Sequence, residues 1–330
     1  MTKLLPVQSI VSSFDLRCTE ARTGFFDRQW HSYMKSVRAV YLSKWLTILL
    51  ALLLISGCSL QSSPILYPKG PVAETERDLM FLATVIMLFT LLPVYLITFW
   101  SCWRYRAKGK GSYRPDWHKS VFVELFIWVG PLVIVVVISI LVVIYTYRLD
   151  PYKPLASDKK AFRIQAVAQN WKWLFIYPDQ QVAVVNELAF PSDRTLNIEI
   201  TSDTVMTSFI IPALGGQIYA MAGMTTHLNL KAYEPGRFSG RNTQFSGRGF
   251  PHMVFDVQSL SEGDFKQWLD KVKKANKRLD SISYQELIKP EEKHLVEYYS
   301  WVEPELFSQI IAKYTGANGA LPLQKPRSLE

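Results

Sequence analysis

Three hydrophobic patterns follow one another along the chain. The first is the long apolar run: "WLTILLALLLI" at 45–55, then Leu79 to Trp100, then Val121 to Tyr145. The last two exceed the roughly 20 residues that a helix needs to cross a bilayer, so they predict two transmembrane helices. Trp100, Trp103 and Tyr105 close the first and Tyr145 and Tyr147 the second, as aromatic residues do where membrane meets water. The second pattern is alternation. From Phe162 to about Gln258, Leu196, Ile198 and Ile200 alternate with Asn197, Glu199 and Thr201, and Leu228 and Leu230 with His227 and Asn229. The stretches "FRIQAVA", "WKWLFIY", "VAVVNEL", "TLNIEIT", "THLNLKA" and "HMVFDV" read as short strands, which predicts a β-sandwich of roughly 100 residues. The third pattern is helical spacing. Phe265, Trp268, Leu269 and Val272 follow a cap at Ser261-x-x-Asp264, and Leu306, Phe307, Ile310, Ile311 and Tyr314 repeat the spacing near the end. These faces require a cover, either the sandwich or a neighbouring subunit. The final "GANGALPLQKPRSLE" reads as a disordered tail.

Charge gives the two spans a direction. Between them lies "RYRAKGKGSYRPDWHK", with Arg104, Arg106, Lys108, Lys110, Arg114 and Lys119 against the single acid Asp116. The positive-inside rule puts this loop in the cytoplasm and both flanks outside. Over the whole chain of 330 residues, 49% apolar, the net charge is +9. The basic residues form no single stripe, which argues against a nucleic-acid partner. Glu124 lies inside the second span, about one turn from its cytoplasmic end. A carboxylate there marks a proton or ion path or a partner subunit, or else snorkels to the interface. The residues alone leave both readings open.

The first apolar run has a different use. Lys35, Arg38 and Lys44 precede it and "ISGC", Ile55 to Cys58, follows it. That order is a basic region, an apolar core and a small-residue cleavage site. Ile-Ser-Gly-Cys resembles a bacterial lipobox, in which Cys58 becomes the lipid-modified first residue of the mature chain. Residues 1–33 precede a complete signal sequence, so translation is expected to start at Met34, which would leave Cys18 out. Cys18, Cys58 and Cys102 are too far apart and too unlike in context to form a disulfide framework or a metal pair. For Cys102, burial as a small apolar residue is favoured over palmitoylation.

The expected division is 1–57 upstream extension and signal peptide, 58–78 linker, 79–100 and 121–147 transmembrane helices around a cytoplasmic loop at 101–120, 160–258 sandwich, 259–315 helical segment, and 316–330 tail.

Several stretches together resemble a known family. The hairpin, "VELFIWVGP" opening its second helix, "WKWLFIYP", "SDTVMTSFIIPALGGQIYAMAGM" and "FSGRGFPHM" are similar to subunit II of the haem–copper terminal oxidases, from roughly Cys58 to Thr315. The resemblance implies a cupredoxin fold for the outer domain. In the branch that oxidises cytochrome c, this domain holds a two-copper centre with two cysteines, two histidines, a methionine and a backbone carbonyl as ligands, the soft donors that suit copper. By that resemblance, Thr207 stands at the first histidine, Phe245 and Gly249 at the cysteines, Gly247 at the carbonyl donor, Met253 at the second histidine and Asp256 at the methionine. No side-chain ligand is retained. His252, beside the expected histidine, reads as a solvated loop residue. "FSGRGFPHM" then reads as the former copper loop, kept as a turn between strands. Trp171 and Trp173 lie where the family's strand carries a tryptophan that admits electrons, a role expected to be lost without copper.

Loss of copper with retention of fold and hairpin is the pattern of the quinol oxidases, and the chain resembles subunit II of the cytochrome bo type. The resemblance implies a bacterial inner-membrane complex that oxidises ubiquinol, reduces oxygen to water and pumps protons. Its haems and copper would lie in subunit I, with none bound by this chain and no catalysis by it alone. Subunit I, the other oxidase subunits and membrane lipid are the implied partners. The carboxyl-terminal domain and the lipid anchor would face the periplasm. Glu124 would stand at the cytoplasmic mouth of the proton path called the K-channel in subunit I, which tips its reading toward function. Two other readings stand beside this one: a membrane-anchored binding lipoprotein, and a copper-bearing subunit fed by cytochrome c.

Overall fold

The computed structural model of the chain describes residues 44–50, 52, 63–106, 109, 111, 119–157 and 159–315. Cys18, Met34, Cys58 with its expected lipidation, most of the basic loop and the tail at 316–330 lie outside the described residues. Residues 44–50 are helical and belong to a unit separate from the body that begins at Pro64.

Two helices are long and apolar enough to cross a membrane: α1, Pro71–Arg104, and α2, Val121–Arg148. Each has an acid in its first turn (Glu74, Glu124) and an arginine in its last (Arg104, Arg148), which complements the helix dipole. The threonine and serine hydroxyls inside the apolar runs are satisfied within the helix. Thr84, Thr90, Thr98 and Ser139 each donate to the carbonyl four residues back, at 2.7–3.2 Å. No residue of α2 is buried by the chain itself. Cys102 is exposed near the end of α1, contrary to the burial expected from its apolar character. Among the described residues nothing in the hairpin packs over it, because the two helices cover little of each other.

The start of α1 is tied to the β-rich domain that follows α2. The Lys69 and Ala73 amides donate to the Ala213 and Leu214 carbonyls at 2.8 and 3.1 Å. Glu76 accepts from the Gly216 amide at 3.1 Å and Glu74 from the Tyr233 hydroxyl at 2.9 Å. The approach is close enough that Gly215, at φ +89°, has room for no side chain: a Cβ would stand 2.7 Å from the Ala73 nitrogen.

The domain after α2 is a sandwich of two sheets. In the first, β12 (Glu297–Tyr299), β3 (Val182–Val185), β2 (Lys172–Tyr177), β1 (Phe162–Gln169), β5 (Leu196–Ser202) and β8 (Thr226–Leu230) lie side by side in that order. In the second, the order is β4 (Glu187–Pro191), β10 (Val254–Leu260), β9 (Gly236–Arg241), β6 (Thr207–Ile211) and β7 (Gly215–Ala220). The pairs β1–β5 and β4–β10 are parallel and the other strand pairs within these two sheets antiparallel. Between the sheets Trp173, Phe175, Phe209 and Phe255 stack and abut with ring centroids 5.1–6.4 Å apart. The Tyr177 hydroxyl closes the core by bonding both the carbonyl and the amide of Ala189.

The stretch "VAVVNEL" is two strands in different sheets. Asn186, at φ +57°, turns the chain out of the first sheet as β3 ends and into the second as β4 begins. Asparagine tolerates that conformation better than a branched residue would. Its amide also accepts from the Trp173 backbone and donates to the His294 carbonyl. Trp171 is not on β2 but in the β1–β2 turn, at φ +66°. The strands β6, β7 and β9 escape the alternation because threonine, glycine and arginine interrupt it.

The helical segment covers the sandwich. Ser261 caps α3 (Glu262–Lys273) by accepting from the Asp264 amide at 3.1 Å, and Phe265, Trp268 and Val272 enter the main core. Each contributes about 2 kcal/mol of burial. Leu306, Phe307 and Ile310 of α5 (Leu306–Thr315), with Tyr284 and Leu287 of α4 (Ser281–Leu287), pack on the outer face of the first sheet against Val167, Leu174, Ile176, Ala183 and Val185. A two-strand pair, β11 (Arg278–Leu279) and β13 (Trp301–Val302), joins this layer.

Candidate functional site

"FSGRGFPHM" lies between β9 and β10 and ends in a single 3-10 turn, Phe250–His252. Its shape is set by two residues outside it. Asn242, buried at the end of β9, accepts through Oδ1 from the Ser208 amide and hydroxyl and from the Gln244 amide. Its Nδ2 donates to the Gln244 carbonyl, the Ser246 hydroxyl and the Met253 sulfur. One amide side chain thus ties both ends of the loop to β6, where a metal would otherwise cross-link them. Trp171 is the second residue. Its indole N–H donates to the Ser246 carbonyl at 2.8 Å, and its ring lies on the loop backbone so closely that a Cβ on Gly249 would fall 2.2 Å from it.

The positions singled out by resemblance are dispersed in chemistry and direction. Thr207 is fully buried on β6, and its hydroxyl has no hydrogen-bond partner. Phe245 is exposed and its ring tilts against Phe250 at 5.8 Å. Gly247 sits at φ +96°, where only glycine is at ease. Gly249 is buried beneath Trp171, Met253 is buried in the core, and His252 and Asp256 face outward. A thioether, an orphan hydroxyl, two glycines, an aromatic ring and an outward-facing carboxylate do not fit copper, which requires thiolate and imidazole converging on one point. Among the described residues no cluster of His, Cys, Asp and Glu has a metal-binding arrangement. Trp173, in contrast to Trp171, is a core residue with no exposure.

Two polar clamps hold the helical segment, and sequence reasoning passed over both. Asp203, in the "SDTVMTSF" block, accepts at 2.8 Å from the Tyr284 hydroxyl, the Lys313 ammonium and the Tyr314 hydroxyl. Its carboxylate is wholly buried. Burial raises Tyr284 above the usual tyrosine range and the Asp203 charge raises it further. Burial works to lower Lys313, but the bond to Asp203 outweighs it and holds the ammonium above its usual range. The second clamp joins His294 to both Glu291 and Glu297, and Glu297 to Lys277. Lys172 of β2, 1% exposed, faces this group with Glu291 at 3.8 Å. Desolvation lowers the Lys172 pKa, and the two glutamates offset part of the effect. The only sequence signal for either clamp is a charged residue inside a strand or motif otherwise destined for burial.

At the other end of the molecule, Glu124 occupies the first turn of α2, exposed, with its amide bonded to the Ser120 carbonyl at 3.0 Å. The hairpin alone offers its carboxylate no partner among the described residues.

Comparison with known proteins gives a consistent result. A family model described as the COX Aromatic Rich Motif matches residues 273–318, the segment held by the two clamps. Cytochrome bo(3) ubiquinol oxidase subunit 2 of Pseudomonas putida is 44% identical over 274 residues, 83% of this chain and 86% of that one. Its counterpart in Pseudomonas aeruginosa is 47% identical over 272 residues, 82% of this chain and 81% of that one. Among solved structures, the periplasmic domain of subunit II of cytochrome oxidase of Bradyrhizobium japonicum matches 37% of this chain and 98% of its own at 22% identity and a TM-score of 0.35. By its extended similarity to those relatives, the chain belongs to the family of ubiquinol oxidase subunit 2.

Proposed function

We propose that this chain is the metal-free second subunit of a bacterial ubiquinol oxidase, in which quinol oxidation and oxygen reduction to water take place in partner subunits. The observation that carries the reading is the closed loop at 245–253. Trp171 and Asn242 fill and tie a site whose side chains offer copper no thiolate and no imidazole set, so electrons have no metal station on this domain. Electrons then enter the haem-bearing subunit I directly from a lipid-soluble donor. The haems and the copper of the complex lie in that subunit, and this chain contributes structure and one carboxylate.

That carboxylate is Glu124. Its place one turn above a basic loop, at the end of an apolar helix, suits a group that collects protons from the aqueous side and passes them through water to subunit I. Contact with subunit I would offset the cost of holding a charge at that depth. The chain spans the membrane twice, with the basic loop in the cytoplasm and the sandwich in the periplasm, and Cys58 carries the lipid anchor. The charge of the 104–119 loop and the "ISGC" sequence support these last assignments.

The test is haem and copper stoichiometry in a complex purified through a carboxyl-terminal tag, with oxygen uptake driven by quinol or by reduced cytochrome c. Two haems, a single copper and quinol-driven uptake are expected. Copper bound by this chain, with uptake from cytochrome c, would replace the reading with that of a copper-bearing subunit. In the same preparation Glu124→Gln is expected to slow oxygen reduction about tenfold or more, the scale of a lost proton-transfer group, with haem content unchanged. Turnover equal to the parent across pH would remove Glu124 from the proton path.

A further inference from the structure

The two membrane helices are apolar throughout, but their few polar side chains are not spread evenly around them. Ile86, Thr90 and Ser101 of α1 and Gly130, Ile134, Leu141 and Tyr145 of α2 lose part of their exposure, which marks the line along which each helix faces the other. At 3.6 residues per turn, Thr84, Leu91, Tyr95, Thr98 and Cys102 form a second line on α1, about a third of a turn past the first. On α2, Glu124, Ser139 and Thr146 stand about a quarter to two-fifths of a turn past its facing line. Both rotations follow the chain direction and consecutive spans run antiparallel, so both lead to the same side of the hairpin. The opposite side presents exposed aliphatic and phenylalanine side chains through the span: Leu82, Phe89 and Leu96 on α1, Phe126, Val133 and Ile140 on α2.

One group on the polar side stands out. The Thr84, Thr98 and Ser139 hydroxyls bond to their own helix, but a phenol is held too far from its own backbone to do the same. Tyr95 is exposed and stacks on Phe99 at 6.4 Å, and its hydroxyl has no hydrogen-bond partner among the described residues. It lies five residues inside the belt residue Trp100, about 7.5 Å at 1.5 Å per residue. Side chains on a helix lean toward its N-terminus, which carries this phenol deeper into the bilayer and away from the nearer water. In hydrocarbon such a donor needs an acceptor from another protein element.

We propose that the Tyr95–Glu124 side of the hairpin is the face this chain presents to the haem-bearing subunit, and that the Tyr95 hydroxyl donates a hydrogen bond to that subunit inside the bilayer. The opposite side faces lipid. The choice of partner rests on the function proposed above: Glu124 is compensated by the haem-bearing subunit, and Tyr95 shares its side. Polar groups within a span turn toward protein and aliphatic ones toward lipid. Glu124 meets the partner near the cytoplasmic surface, and Tyr95 fixes the same face at greater depth.

The test is photo-crosslinking in the intact, membrane-embedded complex, with p-benzoylphenylalanine placed at one position at a time. Leu91 and Val135 lie on the proposed face, and Phe89 and Val133 on the other; all four are exposed on the hairpin itself. Crosslinks to the haem-bearing subunit are expected from Leu91 and Val135, at least tenfold above those from Phe89 and Val133. Equal yields from the two sides, or crosslinks from Leu91 and Val135 to a different subunit, overturn the face. The hydrogen bond has its own readout. Tyr95→Phe keeps the ring and its stacking, and is expected to release the haem-bearing subunit about threefold faster on detergent challenge, the scale of one hydrogen bond between membrane helices. An unchanged release rate overturns the bond. A purified complex without haem would end the oxidase reading itself, whereas a haem-bearing complex crosslinked from Phe89 and Val133 ends only this inference.

Discussion

The membrane hairpin and the sandwich use the same residues in opposite ways. In α2, valine, isoleucine, leucine and phenylalanine point outward all round and none is buried. In β2, β3 and β4 the same residue types are buried at every position. The hairpin leaves its apolar surface to lipid and partner subunits, with backbone, threonine and serine groups satisfied inside each helix. The sandwich makes its own interior and adds to it the helical segment fastened by ionic clamps. Hydrophobicity therefore locates both regions without saying which is self-sufficient. The polar groups distinguish them: long-range and buried in the sandwich, local or exposed in the hairpin.

The sharpest way to break this contrast is at Asp203. Replacing it by alanine leaves the buried Tyr284 hydroxyl without its acceptor, while the half-exposed Lys313 and Tyr314 turn to water, and about 2 to 3 kcal/mol of stability is expected to be lost. Thermal unfolding of the detergent-solubilised full chain, with proteolysis of the segment after residue 273 as a second readout, checks it. A loss below about 1 kcal/mol would mean that apolar packing alone holds the segment. A paired substitution sharpens the comparison at intermediate size. Val184→Ala, in the core, should cost about 2 kcal/mol, and Val136→Ala, exposed on α2, below about 0.5 kcal/mol in the same assay. Equal costs would show the hairpin packed as tightly as the core.

The smallest effect is a pH dependence at the second clamp. Burial acts to raise the Glu297 pKa, but the Lys277 bond and charge, with His294, outweigh it and leave the group below its ordinary 4.5. A depressed carboxylate pKa stabilises the fold fully above the unfolded value and loses that contribution as pH falls through the folded one. Stability should therefore drop below about pH 4.5, by less than about 1 kcal/mol once solvent screening is allowed for. Glu297→Gln should flatten the profile there. An unchanged profile would leave Glu297 without a share in acid stability.

Much of the architecture follows from local pattern. The apolar runs mark both membrane helices, the Ser261–Asp264 cap marks the start of α3, and the spacing of Leu306, Phe307 and Ile310 marks α5. What the pattern hides is long-range. No periodicity shows that Asn186 moves the chain from one sheet to the other, since its neighbours on both sides are apolar strand formers. No spacing joins Asp203 to Tyr314, or Trp171 to Ser246, because each pair meets only after the sandwich has formed. Position in the family pattern sets Gly249 where a cysteine ligand is expected. The structure adds that its missing side chain is the space in which Trp171 rests. Cys102 was misread because an apolar residue on a membrane helix is expected inside when lipid, too, can serve as its inside.

One feature of the sheet order has a consequence for how the domain is made. The edge of the first sheet at β3 is covered by β12, which is translated long after it. A ribosome adds about 5 to 20 residues per second, so β3 emerges seconds before the strand that pairs with it. Through that interval the all-apolar "VAVV" edge is a template open to any other extended chain. Folding of this domain is thus a race in which the aromatic-rich segment arrives late and is the one that seals the edge.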